Sequence, residues 1–389
     1  MSGKSVERNK EIMNLKVFIR NAVRYIIDYL LLFFPVREKR EYDVVIVRTD
    51  GIGDFILWLN TIESYKKKYI GKRVLLVCPD GDVSVAKYFD LFTDIIGFNR
   101  KKLKEIGYHV AFMKSLNGIK ADILISPTWE RVYPTDYIVR AIRAKNKIGI
   151  KEGKQNYQVK HSKRSNKYYS DLISVPKEIE SEFYATEFFT RSVIDSEYRA
   201  KLTDLSAIYA LSKPLFSKYC VIALSSAERV KIWSVENLTR VIDIIPSDYN
   251  VVLSGVGSED EERARFIKDS TNTKANVVDY VNSTKGISDL ICLISHADFL
   301  IGYDSVAVHI AAACNVPSIC IASGADFNRF IPYPPEIADE TRRPRVVTHS
   351  MPCFGCGYYC EKSEDHKTLY CLHQIKPEEV ISELESLIK

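Results

Sequence analysis

The chain has 389 residues, 46% of them hydrophobic and 27% charged, and 55 basic against 50 acidic side chains leave a net charge of only +5. These values exclude a disordered chain and describe a globular one with room for two ordinary cores. They give no footprint for nucleic acid, because no dense block of Lys and Arg accompanies the small excess; an anionic small ligand or an anionic membrane surface remains compatible.

Residues 1–40 read as an amphipathic helical appendage. Lys16, Arg20, Arg24 and Asp28 recur every four residues, with Leu15, Ile19, Val23, Ile26, Ile27 and Leu30 on the remaining faces. The run ends at Leu31-Leu32-Phe33-Phe34-Pro35, a helix stop. Two readings stay open: a helix packed on the protein or a second subunit, and an interfacial helix that touches a membrane through residues 12–40. The first eleven residues are polar and no cleavage pattern follows, and no apolar run reaches the ~20 residues of a bilayer span. The expectation is a cytoplasmic protein, with peripheral contact to the inner membrane if the helix is interfacial.

From Tyr42 onward strands and helices alternate. Val44–Val47, Val74–Cys78, Asp94–Phe98 and Ile123–Ser126 are strand candidates, and Ser181–Ile194 has helical spacing. Residues 151–170 are polar, basic and Tyr-rich, which predicts a loop or linker. A second series places strands at Val221–Leu224, Val251–Leu253, Phe299–Ile301 and Ser318–Ile321. Helices lie between and after them at Ser234–Ile244, Glu259–Asp269, Gly286–Ser295 and Val306–Cys314. Two such series predict two doubly wound α/β domains, 41–205 and 206–345, followed by a cysteine-bearing segment with a terminal helix over 346–389. No short tandem repeat is evident.

Four stretches carry chemistry. After the first strand comes Asp50-Gly51-Ile52-Gly53-Asp54, a glycine turn that opens a helix. Glycines admit a ligand close to the backbone, and Asp54 is a candidate general base. On this segment alone, a carboxylate stabilised by the helix dipole is the simpler reading. In the second series Ser225 and Ser226 follow a strand, with Lys231 and Trp233 beyond; hydroxyls and an ammonium suit a phosphate, although serine turns are common. Ser254-Gly255-Val256-Gly257 precedes the acidic start Glu259-Asp260-Glu261 and is either a ligand approach or a plain turn. Gly302-Tyr303-Asp304-Ser305-Val306 follows a strand and opens a helix whose backbone N–H groups can hold phosphate oxygens. His309, one turn on, is a ligand contact or a buried core histidine. Finally, Cys353, Cys356, Cys360 and Cys371 are spaced as a tetrathiolate site for structural zinc or iron, with His366 and His373 nearby. The other five cysteines lie in apolar surroundings and read as core.

Taken in order, these motifs resemble the heptosyltransferases of bacterial lipopolysaccharide synthesis, glycosyltransferase family 9. The carriers are Arg48 to Asp54, then Ser225, Ser226, Lys231 and Trp233, then Gly302, Asp304, Ser305, His309, Ala312 and Ala313. Lys285–Leu290 and Ala325–Phe330 also look like family segments. Val306 departs from the pattern, standing where the family usually has glycine beside the donor phosphates. A branch that modifies autotransporters resembles this chain in carrying a metal-binding cysteine cluster.

The resemblance implies a GT-B fold, with two Rossmann-like domains facing a cleft, the first for acceptor and the second for donor. It implies inverting transfer of a sugar, heptose from ADP-heptose, to a hydroxyl of a cell-surface glycan, lipid-linked glycan or protein, without a catalytic metal or other catalytic cofactor. Asp54 would be the base, with Gly51 and Gly53 beside it. Lys231, Ser225, Ser226 and the helix start at Asp304–Val306 would hold the diphosphate. Asp304 would bind sugar hydroxyls, His309 would touch phosphate or support Asp304, and Glu261 would contact the ribose. A homo-oligomer is also expected. Two alternatives stand beside this reading: an enzyme using another nucleotide sugar, such as an epimerase, and a non-catalytic nucleotide-sugar-binding scaffold.

Overall fold

A computed structural model describes residues 26–30, 39–151, 164–358, 360–363 and 368–389. The chain divides into two compact units. One comprises the described residues up to Asp50, Tyr69–Val83 and Leu91–Ser174; the other comprises Gly51–Lys68, Ser84–Asp90 and Val175–Lys389. The division passes between Asp50 and Gly51, so the two carboxylates of the first glycine turn belong to different units.

The first unit is built on a six-stranded sheet of β1 (Arg40–Val47), β2 (Val74–Pro79), β3 (Asp94–Phe98), β4 (Ile119–Ser126), β5 (Arg143–Ile150) and β6 (Asp171–Ile173). Its order is β3-β2-β1-β4-β5-β6, and every pair is parallel, with Val44 opposite both Val74 and Ile123. β2 is buried at all six positions, as a parallel strand covered on both faces must be. One core gathers Val45, Val47, Leu75, Val77 and Leu124 with Phe112, Leu116, Tyr137 and Ile138, which come from α2 (Ile106–Asn117) and α3 (Tyr133–Ala141).

The second unit repeats the plan with β7 (Tyr219–Ala223), β8 (Asn250–Ser254), β9 (Asn276–Asp279), β10 (Phe299–Tyr303), β11 (Ser318–Ile321) and β12 (Arg345–Val347). The order β12-β11-β10-β7-β8-β9 is again parallel throughout. Read in chain order, each sheet has the doubly wound arrangement in which the strand order reverses beside its first strand. Ligands in such folds bind outside the carboxyl ends of the strands at that reversal. In this unit those ends are the residues after β7 and β10, namely Leu224-Ser225 and Asp304-Ser305.

The principal helices of the second unit are α1 (Ile52–Trp58), α4 (Glu182–Val193), α5 (Val235–Ile242), α6 (Ser258–Ser270), α7 (Ile287–Ser295), α8 (Val306–Ala313) and α9 (Pro377–Ile388). The apolar face of α9, with Val380 and Leu384 fully buried, joins the core of the second sheet.

Two expectations change. Of the amphipathic N-terminal helix, residues 1–25 and 31–38 lie outside the described residues; residues 26–30 are helical. There Asp28 does not face water. It is buried, with His109 Nε2 at 2.6 Å from one carboxylate oxygen and the Tyr133 hydroxyl donating to the other at 3.1 Å. Ile26, Tyr29 and Leu30 are the exposed side chains. The fixed partners on α2 and α3 decide which face of the helix turns inward. In the expected loop 151–170, residues 152–163 lie outside the described residues, but Ser165 and Tyr169 are buried. Both donate to Asp136, Tyr169 at 2.7 Å, and this ties the segment to α3. Among the described residues no helix is long and apolar enough to cross a membrane.

Candidate functional site

At the strand-order reversal of the second sheet, Lys231 closes a short 3-10 turn, Arg229–Lys231, and points back to the start of α8. Its Nζ donates to Asp304 Oδ2 at 2.8 Å, and both side chains are at most 10% exposed. The ammonium also lies 5.0 Å from the centroid of the Tyr358 ring. Ser305 is the N-cap of α8, yet its side chain makes no capping bond. Among the described residues, its buried Oγ has no hydrogen-bond partner. A buried hydroxyl normally finds a partner, so one pointing at a helix N-terminus is a ready donor to a bound oxyanion. Val306 occupies the first turn of that helix and is half-buried.

His309 sits one turn further and is buried, with Nδ1 2.7 Å from the Tyr333 hydroxyl and the two rings stacked. Burial pushes its pKa below the usual histidine range. The carboxylates of Asp304 and Asp54 oppose that shift, and the Lys231 ammonium adds to it.

Asp54 reaches this site because α1 packs on α8. A Cβ on Gly53 would lie 3.4 Å from His309 Cδ2, so glycine allows the close approach of the two helices. At Gly51 a Cβ would lie 2.7 Å from Asp54 Oδ2; the missing side chain leaves the space into which the carboxylate folds back over the helix start. Arg329 Nη2 stands 3.9 Å from Asp54 Oδ1 and 3.2 Å from buried Glu182 of α4. The backbone closes the same link, with Glu182 N–H donating to Arg329 O at 2.8 Å.

The structure thus brings Asp54, Gly51, Gly53, Lys231, Asp304, Ser305, Val306 and His309 into one region. Ser225 is turned to a different task. Its hydroxyl donates to Asp260 and accepts from Val256 N–H at 3.1 Å, which knits the turn after β8. Ser226 is half-buried beside it. Glu261 is exposed and accepts from Asn282 Nδ2 at 2.6 Å. Arg329, Glu182, Tyr333, Tyr358 and Asp326 join this region without being candidate site residues by sequence. Asp326 and Arg329 lie in the Ala325–Phe330 segment that looks like a family segment, whereas nothing around Tyr358 signals its position beside Lys231.

The four clustered cysteines run from exposed Cys353 through half-buried Cys356 and Cys360 to buried Cys371. Burial pushes the Cys356 thiol up, the Tyr358 N–H pulls it down, and the thiols of Cys353, Cys360 and Cys371 push it up further. Cys371 is raised in the same way, with Gly324 N–H donating to its Sγ at 3.4 Å. The thiols are thus near enough to feel one another. Yet among the described residues no three His, Cys, Asp or Glu side chains are arranged to hold a metal ion. His366 lies outside the described residues, and His373 is exposed.

A family model described as glycosyltransferase family 9 (heptosyltransferase) matches residues 110–339, more than half of the chain. Lipopolysaccharide heptosyltransferase 3 of Escherichia coli is 25% identical over 289 residues, covering 70% of this chain and 81% of that protein. The Escherichia coli heptosyltransferase WaaC with ADP matches with a TM-score of 0.64 at 15% identity, over 90% of this chain and 100% of that one. The iron-containing dodecameric glycosyltransferase TibC of enterotoxigenic Escherichia coli H10407 matches with a TM-score of 0.51 at 15% identity, over 90% and 77%. With its two parallel sheets, the molecule is a glycosyltransferase of the GT-B fold. It belongs to glycosyltransferase family 9, the heptosyltransferases. The matched residues begin after Asp54, so the place of that carboxylate rests on its own packing.

Because burial lowers the His309 pKa, the unfolded chain takes up a proton near pH 6.5 that the folded chain refuses. This contribution to stability is fully present above pH 6.5 and is lost as pH falls toward the folded-state pKa. Thermal melts should show Tm falling from pH 7.5 to 5.5, and His309→Gln should flatten that dependence. An unchanged slope in the variant would contradict the buried neutral imidazole.

Proposed function

We propose that this protein transfers heptose from ADP-heptose to an acceptor hydroxyl with inversion at the anomeric carbon. One observation carries the reading: Lys231 Nζ lies 2.8 Å from Asp304 at the start of α8, and Gly53 packs against His309 of the same helix, so the candidate cation and the candidate base Asp54 lie at one helix. ADP in WaaC and the heptosyltransferase relatives support the donor class.

In this mechanism the Asp54 carboxylate accepts the proton of the acceptor hydroxyl as its oxygen attacks C1 of the sugar. The bond from C1 to the diphosphate oxygen breaks, and ADP departs with that electron pair. Lys231, the N-terminus of α8 at Ser305–Val306 and the Ser305 hydroxyl stabilise the growing negative charge. Asp304 holds Lys231 in place and binds sugar hydroxyls, and His309 supports Asp304 and the approach of α1 to α8. Arg329, held by Glu182, keeps the Asp54 carboxylate oriented. Ser226 is proposed as a further hydroxyl for the phosphates and Ser225 as the tie that shapes their turn. Glu261, close to the turn after β8, is proposed to face the ribose.

The acceptor is proposed to be a hydroxyl of a cell-surface glycan or protein, modified in the cytoplasm where nucleotide sugars are made. No catalytic metal is invoked. The four cysteines are proposed to hold a structural zinc or iron ion. Support comes from the spacing of the four cysteines in the sequence and from iron in TibC. Such an ion would crosslink the segment from Cys353 to Cys371, and no step of transfer passes through it.

Asp54→Asn should lower kcat by roughly 10²–10⁴-fold while ADP-heptose affinity stays within about twofold; near-wild-type turnover would remove Asp54 from the role of base. Elemental analysis of purified protein should find about one zinc or iron per chain, lost together with thermal stability on chelation. Metal-free protein with an unaltered melt would refute the structural site.

A further inference from the structure

The segment bearing the cysteines reaches the donor site through one side chain. Gly355 N–H donates to Gly324 O at 2.7 Å and Gly357 N–H to Ala325 O at 3.1 Å, so the segment lies along the turn that follows β11. Tyr358 comes next, with a left-handed φ of 68° after Gly357 at 61°. That backbone turns its side chain inward. The hydroxyl donates to the buried carboxylate of Asp326, and the ring takes its place 5.0 Å from Lys231 Nζ. At the other end of the loop, Leu369 N–H donates to Val230 O at 3.1 Å, which fixes the residue before Lys231.

We infer that Tyr358 is a positioning residue for the donor: its ring holds the Lys231 ammonium at the diphosphate site, and Asp326 holds the ring. The inference rests on the reading of Lys231 as the diphosphate cation. A lysine has a flexible four-carbon stem and a point charge, so its geometry must come from its surroundings. Asp304 supplies a carboxylate on one side. A carboxylate alone would draw the ammonium toward itself and away from an arriving phosphate. An aromatic face attracts a cation without neutralising it, most strongly where water is excluded, and Lys231 is nearly buried. The ring therefore fixes the ammonium while leaving its charge available to the ligand, and this preorganisation lowers the cost of ordering the site on binding. The side chain that does this comes from the cysteine segment, which gives the segment a task in substrate binding as well as in packing.

The test is ADP affinity by titration calorimetry on the full chain, for wild type, Lys231→Met, Tyr358→Phe, Tyr358→Met and the double variant Lys231→Met/Tyr358→Met. Thermal melts and metal content accompany each. Tyr358→Met, which fills the space without an aromatic face, should weaken ADP about tenfold. Tyr358→Phe keeps the face and should stay within about threefold of wild type. The double variant should bind no more weakly than Lys231→Met alone, because the ring acts through the ammonium. If Lys231→Met binds ADP like wild type, the donor reading fails and this inference with it. If Lys231→Met weakens binding but Tyr358→Met does not, or the two losses add in full, the role of Tyr358 alone is overturned. Where Tyr358→Met melts early, Tyr358→Leu takes its place under the same criteria.

Discussion

The contact between Lys231 and Asp304 organises the second unit's site. It joins a short turn after β7 to the start of α8 after β10, the two strands at whose boundary the order of the sheet reverses. Removing an ammonium and a carboxylate from water costs several kcal/mol for each ion, and their attraction seldom returns much more than that. Such a pair is weak evidence for stability. Its presence beside a Ser305 hydroxyl that has no partner among the described residues, and beside a helix N-terminus, is better explained by a ligand whose charge completes it. His309, Tyr358 and the approach of α1 to α8 then follow as the means of holding that arrangement in place.

Two units built on one strand order present different side chains at the same topological position. In the first, the residues after β1 are tied down internally. Arg48 pairs with Asp50 at 2.8 Å and donates to Pro127 O at 2.6 Å, and Arg100 donates to Thr49 O at 2.7 Å. In the second, the corresponding position presents the Lys231 ammonium, the Ser305 hydroxyl and the N-terminus of α8. An acceptor with a neutral hydroxyl asks for shape and a base, whereas a nucleotide diphosphate asks for cations and N–H donors. The contents of the second position fit the diphosphate.

Much of this was legible in the sequence, for identifiable reasons. Strands buried on both faces appear as β-branched runs, so the candidate at Ser318–Ile321 coincides with β11 and those for the other central strands differ only by a few terminal residues; the candidate at Asp94–Phe98 coincides with β3, an edge strand that still carries Ile95, Ile96 and Phe98. β6, β9 and β12 were not anticipated. They are edge strands of three or four residues, and their half-exposed positions leave no apolar run to read. β5 is eight residues long but has the sequence RAKNKIGI, with exposed or half-exposed positions until its last two. Within the candidate site, the motifs singled out Asp54, Asp304 and His309 near helix starts and Lys231 in the turn after a strand, and the fold brings these four into one region. Arg329, Glu182 and Tyr358 escaped, since their places depend on loops that pack at long sequence separation. Ser225 was legible as a strand-end hydroxyl, but its bond to Asp260 comes from the fold of the next turn.

The central claim is that the diphosphate of the donor sits between Lys231 and the start of α8. A crystal structure of the protein with ADP tests it most directly. The account predicts a phosphate oxygen within hydrogen-bond distance of Lys231 Nζ, of Ser305 Oγ and of a backbone N–H in the first turn of α8. ADP bound elsewhere, with Lys231 still paired only to Asp304, would contradict it.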